Sequence, residues 1–335
     1  MKVIHFNKLK KPLLIAEIGN NHEGNINNAI KLIESAHKAG ADVVKFQHIV
    51  PEKLYHSSEI KRIKFLRKVC LKLTDFKKLA AIAKKKKLLF SVTPFDINSV
   101  KYLKKFVDIF KIASSDNNYF SLINKVIATN KPLVISTGLS NILEINKLYK
   151  HVKKKSKNLN KICFLHCVSN YPTKYKDVNL GFIKTMKKKF NKISIGYSDH
   201  VPGVVASVLA CSLKIKVLEK HFTLDKKFSS FRDHELSADF RDLSIIREYI
   251  DNYEKILGNK NNTIKILADR NQIRSLRRTA YLNKKLIVNT KLKFDDIEFL
   301  RPRKFDNLNK FSKIYKLRSK KNLKLGSVLK LKNFY

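Results

Sequence analysis

Lys45 lies between Val44 and Phe46, and Lys111 between Phe110 and Ile112. An ammonium inside an apolar run needs an anionic partner if it is to stay charged. Two readings supply one: a structural ion pair to Glu17 or Glu219, or an anion site shared with the hydroxyls of Thr93, Ser114, Ser136 and Ser198. Two cations with several hydroxyls suit a phosphate or carboxylate ligand better than a lone internal pair. His200 and His221 also follow apolar runs. On neighbouring strand tips, two imidazoles could hold a divalent cation. No helical HxxxH or HExxH spacing surrounds them, so they could equally be ordinary polar histidines. Glu17 and Asp233 are available to complete a metal shell or to carry protons. Asn20-Asn21-His22-Glu23-Gly24-Asn25 reads as a turn leading into a helix N-cap. Tyr171-Pro172-Thr173 reads as a loop whose tyrosine could face a sugar.

These residues need a scaffold, and the apolar pattern describes one. Short β-branched runs predict strands at 14–18, 42–47, 88–94, 109–114, 133–137, 162–168, 193–197 and 217–222. Amphipathic stretches between them predict helices at 28–39, 75–86, 121–130, 142–151 and 204–213. Alternating strands and helices imply parallel βαβ units, and about eight of them over about 250 residues make a closed (β/α)8 TIM barrel. An open doubly wound sheet is the structural alternative, but no GxGxxG fingerprint follows the first strand. Every predicted strand ends in ionisable or hydroxyl groups: Glu17; Lys45 with Gln47; Thr93; Lys111 with Ser114; Ser136 with Thr137; His166 with Ser169; Asp199 with His200; Glu219 with His221. In such barrels the C-terminal strand ends converge on one mouth and carry the chemistry.

The composition bounds the rest. The chain has 335 residues, 44% of them hydrophobic, long enough for a barrel with a small appended domain. No apolar run approaches the roughly 20 residues of a membrane span, and the first residues lack a signal-peptide core, so a cytoplasmic location is expected. The four cysteines form no CxxC pair and read as buried reduced thiols. A net charge of +44 invites a nucleic-acid partner. The lysines are spread along the chain, however, in short groups such as Lys84–Lys87, Lys153–Lys155 and Lys187–Lys189. Those groups fall near predicted helix ends, where a cation complements the dipole. The charge would still steer anionic substrates. Past about residue 255 the pattern turns to linker and short β-type runs at 279–282, 285–288, 297–300 and 327–331. The expected division is a barrel domain over 1–265, a linker over 266–280 and a small domain over 281–335.

Several segments also carry a resemblance. They are Ala16-Glu17-Ile18-Gly19-Asn20-Asn21-His22-Glu23-Gly24, Val44-Lys45-Phe46-Gln47, Thr93-Pro94-Phe95-Asp96, Lys111-Ile112-Ala113-Ser114, Ser136-Thr137-Gly138, Leu165-His166-Cys167-Val168-Ser169, Gly196-Tyr197-Ser198-Asp199-His200 and Glu219-Lys220-His221-Phe222-Thr223. In this order the chain resembles the N-acetylneuraminate (sialic acid) synthases and the bacterial relatives that make legionaminic and pseudaminic acids. The resemblance implies a barrel followed by a small antifreeze-like (SAF) domain, in a domain-swapped homodimer where the small domain closes the partner's site. Arg277-Arg278-Thr279 and Ile297–Pro302 match landmarks of that domain.

The implied reaction joins phosphoenolpyruvate to an N-acyl amino sugar (N-acetylmannosamine or a 6-deoxy diamino analogue) and releases phosphate by C–O cleavage. The implied metal is Mn2+, with Mg2+ or Co2+ as alternatives, held by His200 and His221. Lys45, Thr93, Lys111, Ser114, Ser136, Ser169 and Ser198 match phosphoenolpyruvate-binding positions. Gln47, Tyr171, Glu219, Asp233 and, from the small domain, Arg301 match positions near the sugar. Glu17, Lys45 and Lys111 are the implied catalytic groups. Departures occur at Ser115, at Phe231-Arg232 before Asp233-His234, at Arg303-Lys304, and at Ser169 where some members have Asn. Two other readings stand beside this one: a phosphoenolpyruvate-dependent aldol-type synthase acting on a sugar phosphate, and a non-catalytic nucleic-acid- or anion-binding barrel.

Overall fold

The structure, a computed structural model, describes residues 4–229, 233–258, 276–301, 314 and 316–335. Phe231 and Arg232, the expected boundary at 265 with most of the linker, and Pro302 to Lys304 lie outside them. The chain divides into two compact units, Met1–Leu257 and Gly258–Tyr335.

In the first unit eight parallel strands close on themselves in chain order. They are β1 Leu13–Gly19, β2 Val43–His48, β3 Leu89–Pro94, β4 Ile109–Ile112, β5 Leu133–Ser136, β6 Ile162–His166, β7 Ser194–Asp199 and β8 Val217–His221. The ring is completed by β1 against β8, with Glu17 opposite His221. The predicted TIM barrel is therefore present, its strands within a few residues of their expected ends. The fourth stops at Ile112 because Ser114–Asp116 forms a 3-10 turn, and the seventh runs on to Asp199.

The period of two along each strand builds the barrel's interior in layers. Leu13, Ile15, Val43, Ile109, Val134, Cys163, Leu165 and Val217 form an apolar cluster inside it, joined by Phe6. Two residues further along the same strands come Glu17, Lys45, Lys111, Ser136 and Glu219. The intervening residues, among them Leu14, Ala16, Val44, Phe46, Phe110 and Ile135, belong to a larger cluster shared with the surrounding helices. Each such Leu, Ile or Phe contributes about 1.5–3 kcal/mol by burial, so a one-residue slip of any strand would be opposed by its whole outer face.

The helices that close the βα units begin and end as their sequences require. The Asn25 side chain accepts from the backbone N–H groups of Asn27 and Asn28 and starts Ile26–Lys38, as the N-cap reading expected. Asn141 and Glu144 form a capping box for Ile142–Lys155. The lysine groups fall in last turns: Lys84 and Lys85, Lys153 to Lys155, and Lys187 to Lys189. These lysine groups thus sit at helix C-termini, as anticipated.

The second unit pairs β9 Thr279–Leu282 antiparallel with β10 Ile297–Leu300. Its own core gathers Ala280, Leu282, Leu286, Leu292, Ile297, Leu323 and Phe334. The runs expected at 285–288 and 327–331 are not strands and make only isolated bridges, Leu286 with Leu323 and Val328 with Tyr281. Ile287 and Val288 are exposed, so the first run has too few buried side chains to extend a ladder.

Candidate active site

Above the apolar layer lies a cavity of about 390 Å³ at the C-terminal ends of the strands. It is lined by Glu17, Lys45, Gln47, Thr93, Lys111, Ser114, Ser136, Ser169, Tyr171, Ser198, His200, Glu219 and His221, together with Phe95, Ala113, Ser115 and Leu139. Its volume falls in the range of small-molecule sites.

Four buried charges form its floor. Lys45 Nζ lies 2.9 Å from Glu17 Oε2 and 3.2 Å from Glu219 Oε2, and Lys111 Nζ lies 3.2 Å from Glu219 Oε1. The two readings of the lysines are thus not exclusive: both are ion-paired, and both face the cavity. Ser198 Oγ donates to Glu219 Oε1 at 2.9 Å, and Gln47 Nε2 to Glu17 Oε1 at 3.0 Å. Oε2 of each glutamate is a close ion-pair contact without hydrogen-bond alignment.

The electrostatics separate the two carboxyls. Burial raises the Glu17 carboxyl above its usual range; Lys45 opposes this and the neighbouring Glu219 charge adds to it. Burial acts on Glu219 in the same sense, but Lys111 and Lys45, with the Ser198 hydroxyl, outweigh it and hold Glu219 well below. Burial works against the charge of Lys45, and Glu17 and Glu219 overcome it, so its pKa is raised. Lys111 is lowered by burial, which Glu219 only partly offsets. The two carboxyls are therefore pushed in opposite directions, the separation that acid–base chemistry needs.

His200 and His221 occupy one side of the mouth, ring centroids 5.5 Å apart. Burial lowers His200 to about 4, with His221 adding to the effect, and burial lowers His221, opposed by Asp233. Both imidazoles are neutral at pH 7 and keep a lone pair. His200 Nδ1 is 2.7 Å from the Val168 carbonyl and Nε2 3.2 Å from the Tyr171 hydroxyl. The carbonyl fixes the tautomer, leaving the Nε2 lone pair toward the tyrosine, as in metal-ligating histidines. Nδ1 of His221 is buried without a hydrogen-bond partner. The pair fits a divalent cation as two nitrogen donors. Among the described residues no group of three or more His, Cys, Asp or Glu side chains could hold a metal, so water and substrate would supply the remaining positions.

The model of the NeuB family matches residues 32–262. The chain belongs to the NeuB family. An uncharacterized protein of Methanocaldococcus jannaschii is 39% identical over 290 residues, 86% of this chain and 84% of that one. The N,N'-diacetyllegionaminic acid synthase of Campylobacter jejuni is 36% identical over 264 residues, 75% of this chain and 78% of the enzyme. The crystal structure of the N-acetylneuraminic acid (sialic acid) synthetase of Leptospira borgpetersenii superimposes with a TM-score of 0.72 at 31% identity, covering 79% of this chain and 90% of that one. The recognition made from the motifs is borne out.

Of the residues given a catalytic, substrate-binding or metal-binding role in this NeuB-family chain, all lie on the cavity wall except Asp233 and Arg301. Asp233 opens a short helical turn after β8, where its charge bears on His221 and Tyr171. Arg301 follows β10 in the second unit and is exposed. Three strand-end residues face the other way. Thr137 Oγ1 donates to the Leu165 carbonyl at 2.9 Å, and His166 Nε2 lies 2.8 Å from the Val178 carbonyl. Asp199 pairs with the fully buried Lys220 at 3.0 Å and accepts from Ser207 Oγ at 2.6 Å. The strand period turns these side chains outward. The sequence reading gave no site role to Phe95, Ser115 or Leu139, which line the cavity beside Pro94, Ser114 and Gly138. Cys167, a buried free thiol as expected, has its Sγ 3.2 Å from Ser114 Oγ, a contact the sequence reading did not foresee.

Proposed function

We propose that this protein is a sialic-acid-type synthase that condenses phosphoenolpyruvate with an N-acylated amino sugar to a nine-carbon 2-keto acid. The observation that carries the reading is the meeting, in one cavity, of two buried lysines, a set of hydroxyls and two neutral imidazoles. Lys45, Thr93, Lys111, Ser114, Ser136, Ser169 and Ser198 would take the phosphate and carboxylate of the enol as a clamp of cations and hydroxyl donors. Gln47, Tyr171, Glu219 and Asp233 would take the sugar. The two glutamates balance the two lysines, so further positive charge for an anionic substrate would come from a bound cation.

His200 and His221 would hold that cation, Mn2+ in the first instance, and it supplies Lewis-acid polarisation of the sugar's aldehyde. Carbon 3 of phosphoenolpyruvate attacks the aldehyde carbon, and the forming alkoxide takes its proton, through Glu17, from the water that adds to carbon 2. That water adds to the cationic carbon 2 and gives its proton to Glu17, which passes it to the alkoxide. The tetrahedral intermediate then collapses to the ketone, its C–O bond to phosphate breaking as the hydroxyl proton leaves with the phosphate. Lys45 and Lys111 stay in place and stabilise the charge that moves between carboxylate and phosphate. Fixing both reactants in one pocket supplies much of the acceleration.

The resemblance also supports an antifreeze-like reading of the second unit, in a domain-swapped homodimer with Arg301 reaching the sugar's N-acyl group in the partner. A cytoplasmic location belongs to the same reading; among the described residues no helix is long and apolar enough to cross a membrane. The test is phosphate release from phosphoenolpyruvate with Mn2+ across a panel of N-acyl amino sugars and sugar phosphates. Release with an unphosphorylated N-acyl sugar is expected. Release with sugar phosphates alone would replace the proposed acceptor.

A further inference from the structure

The turn after β1 does not line the cavity, yet it is held as tightly as the groups that do. Asn21 is 2% exposed and His22 is fully buried. Glu23 has φ 48°, in the left-handed region, where a non-glycine residue is uncommon and persists only if its surroundings over-determine it.

What over-determines Glu23 is the segment that follows β8. Glu23 Oε1 accepts from Ser229 Oγ and from His234 Nε2, the latter at 3.1 Å. The other nitrogen of His234 is 2.6 Å from the Thr223 hydroxyl. Asn21 Nδ2 donates to the Phe222 carbonyl at 2.9 Å and to Ser237 Oγ at 3.1 Å. Ser237 Oγ in turn donates to the carbonyl of Asp233 at 2.5 Å. The turn thus grips the segment on both sides of Asp233, whose carboxylate bears on His221 and Tyr171.

We propose that Glu23 is a positioning residue that, through His234, holds Asp233 beside the cavity. There its charge acts on His221 and Tyr171. The inference rests on the reading of Asp233 as a sugar-binding group. Loss of one charge-assisted hydrogen bond of this kind changes an equilibrium by about tenfold or more. Glu23→Ala is therefore expected to raise KM for the amino sugar about tenfold. KM for phosphoenolpyruvate and the affinity for Mn2+ should stay within about twofold, well under the loss of one such bond. Glu23→Gln, whose amide oxygen still accepts from His234, should recover most of the loss.

The deciding comparison is with Asp233→Asn. If Glu23 acts through Asp233, the double variant is no worse than Asp233→Asn alone. Effects that multiply, or a Glu23→Ala variant that raises both KM values alike, would overturn the proposal. An Asp233→Asn variant with unchanged sugar KM would overturn the reading of Asp233 and the proposal with it. Hydrogen exchange gives a readout independent of turnover: amides at 223–229 and 233–238 should exchange faster in Glu23→Ala while the rest of the barrel is unchanged. Unchanged exchange there would contradict the tie.

Discussion

Glu219→Gln is the sharpest probe of the cavity floor. The substitution keeps the side chain's shape and its bond from Ser198, which is 2.9 Å long, but removes one of two negative charges. Lys45 would keep Glu17 at 2.9 Å. Lys111, 4% exposed, would keep no carboxylate within ion-pair distance among the described residues, since Glu219 at 3.2 Å is its partner. Stripping one member from a buried pair costs about 3–5 kcal/mol, because the remaining charge is left uncompensated. Lys45 is still paired, so the lower end of that range is expected. Urea denaturation at pH 7.5 should show the midpoint falling with an unchanged slope. Adding Lys111→Met should return about 2 kcal/mol or more, since the stranded ammonium is then gone. A Glu219→Gln variant within about 1 kcal/mol of the parent would mean that the pair behaves as a solvated surface pair. A double variant no more stable than the single one would refute the assignment of the cost to Lys111.

Three further outcomes are expected. His22 is held near 4 by burial, against its ordinary 6.5, so the unfolded chain takes its proton first as the pH falls. Its contribution is intact above about pH 6.5, lost progressively toward pH 4, and down by about 2 kcal/mol at pH 5. His22→Asn, which keeps an acceptor for the Gly24 N–H, should flatten the difference between denaturation midpoints at pH 7 and pH 5. At Gly138 a Cβ would meet Cys167 Sγ and Ser169 Oγ, each at 2.6 Å. Gly138→Ala should therefore lose about 1–3 kcal/mol of stability and, by displacing Ser169, at least tenfold in kcat/KM for phosphoenolpyruvate. Chelation should abolish turnover and Mn2+ restore it. Calorimetry should show Mn2+ affinity falling by about 100-fold or more in His200→Ala, as expected when a metal ligand rather than an outer-shell partner is removed.

Much of the barrel was legible because its two faces obey different rules. The outer residues of β1, β2 and β4 are apolar because they meet helices, and the inner ones turn polar above Ile15, Val43 and Ile109. That switch marked the mouth and put Glu17, Lys45 and Lys111 on one wall. What the sequence obscured was parity. His166 and Asp199 stand at strand ends as Lys45 and Glu219 do, but on the outward step, where they bond to Val178 and pair with Lys220. Counting strand-end polar residues without the period of two overstated the site. The cross-loop tie of Glu23 to His234 was hidden for another reason. Residues so far apart in the chain meet only because β1 and β8 are the pair that closes the barrel, and no local pattern announces that contact. The small unit was legible only in part, since its bridges at Leu286 and Val328 leave neighbours such as Ile287 exposed and give no clean alternation.

The central claim, that the cavity joins phosphoenolpyruvate to an amino sugar with C–O cleavage, is tested most directly by labelling the bridging oxygen of phosphoenolpyruvate with 18O. In the presence of Mn2+ and the accepted N-acyl sugar, the account predicts that the label leaves with inorganic phosphate as a nine-carbon keto acid forms. Label retained in the keto acid would contradict it, because the bond broken would then be P–O and attack would have occurred at phosphorus.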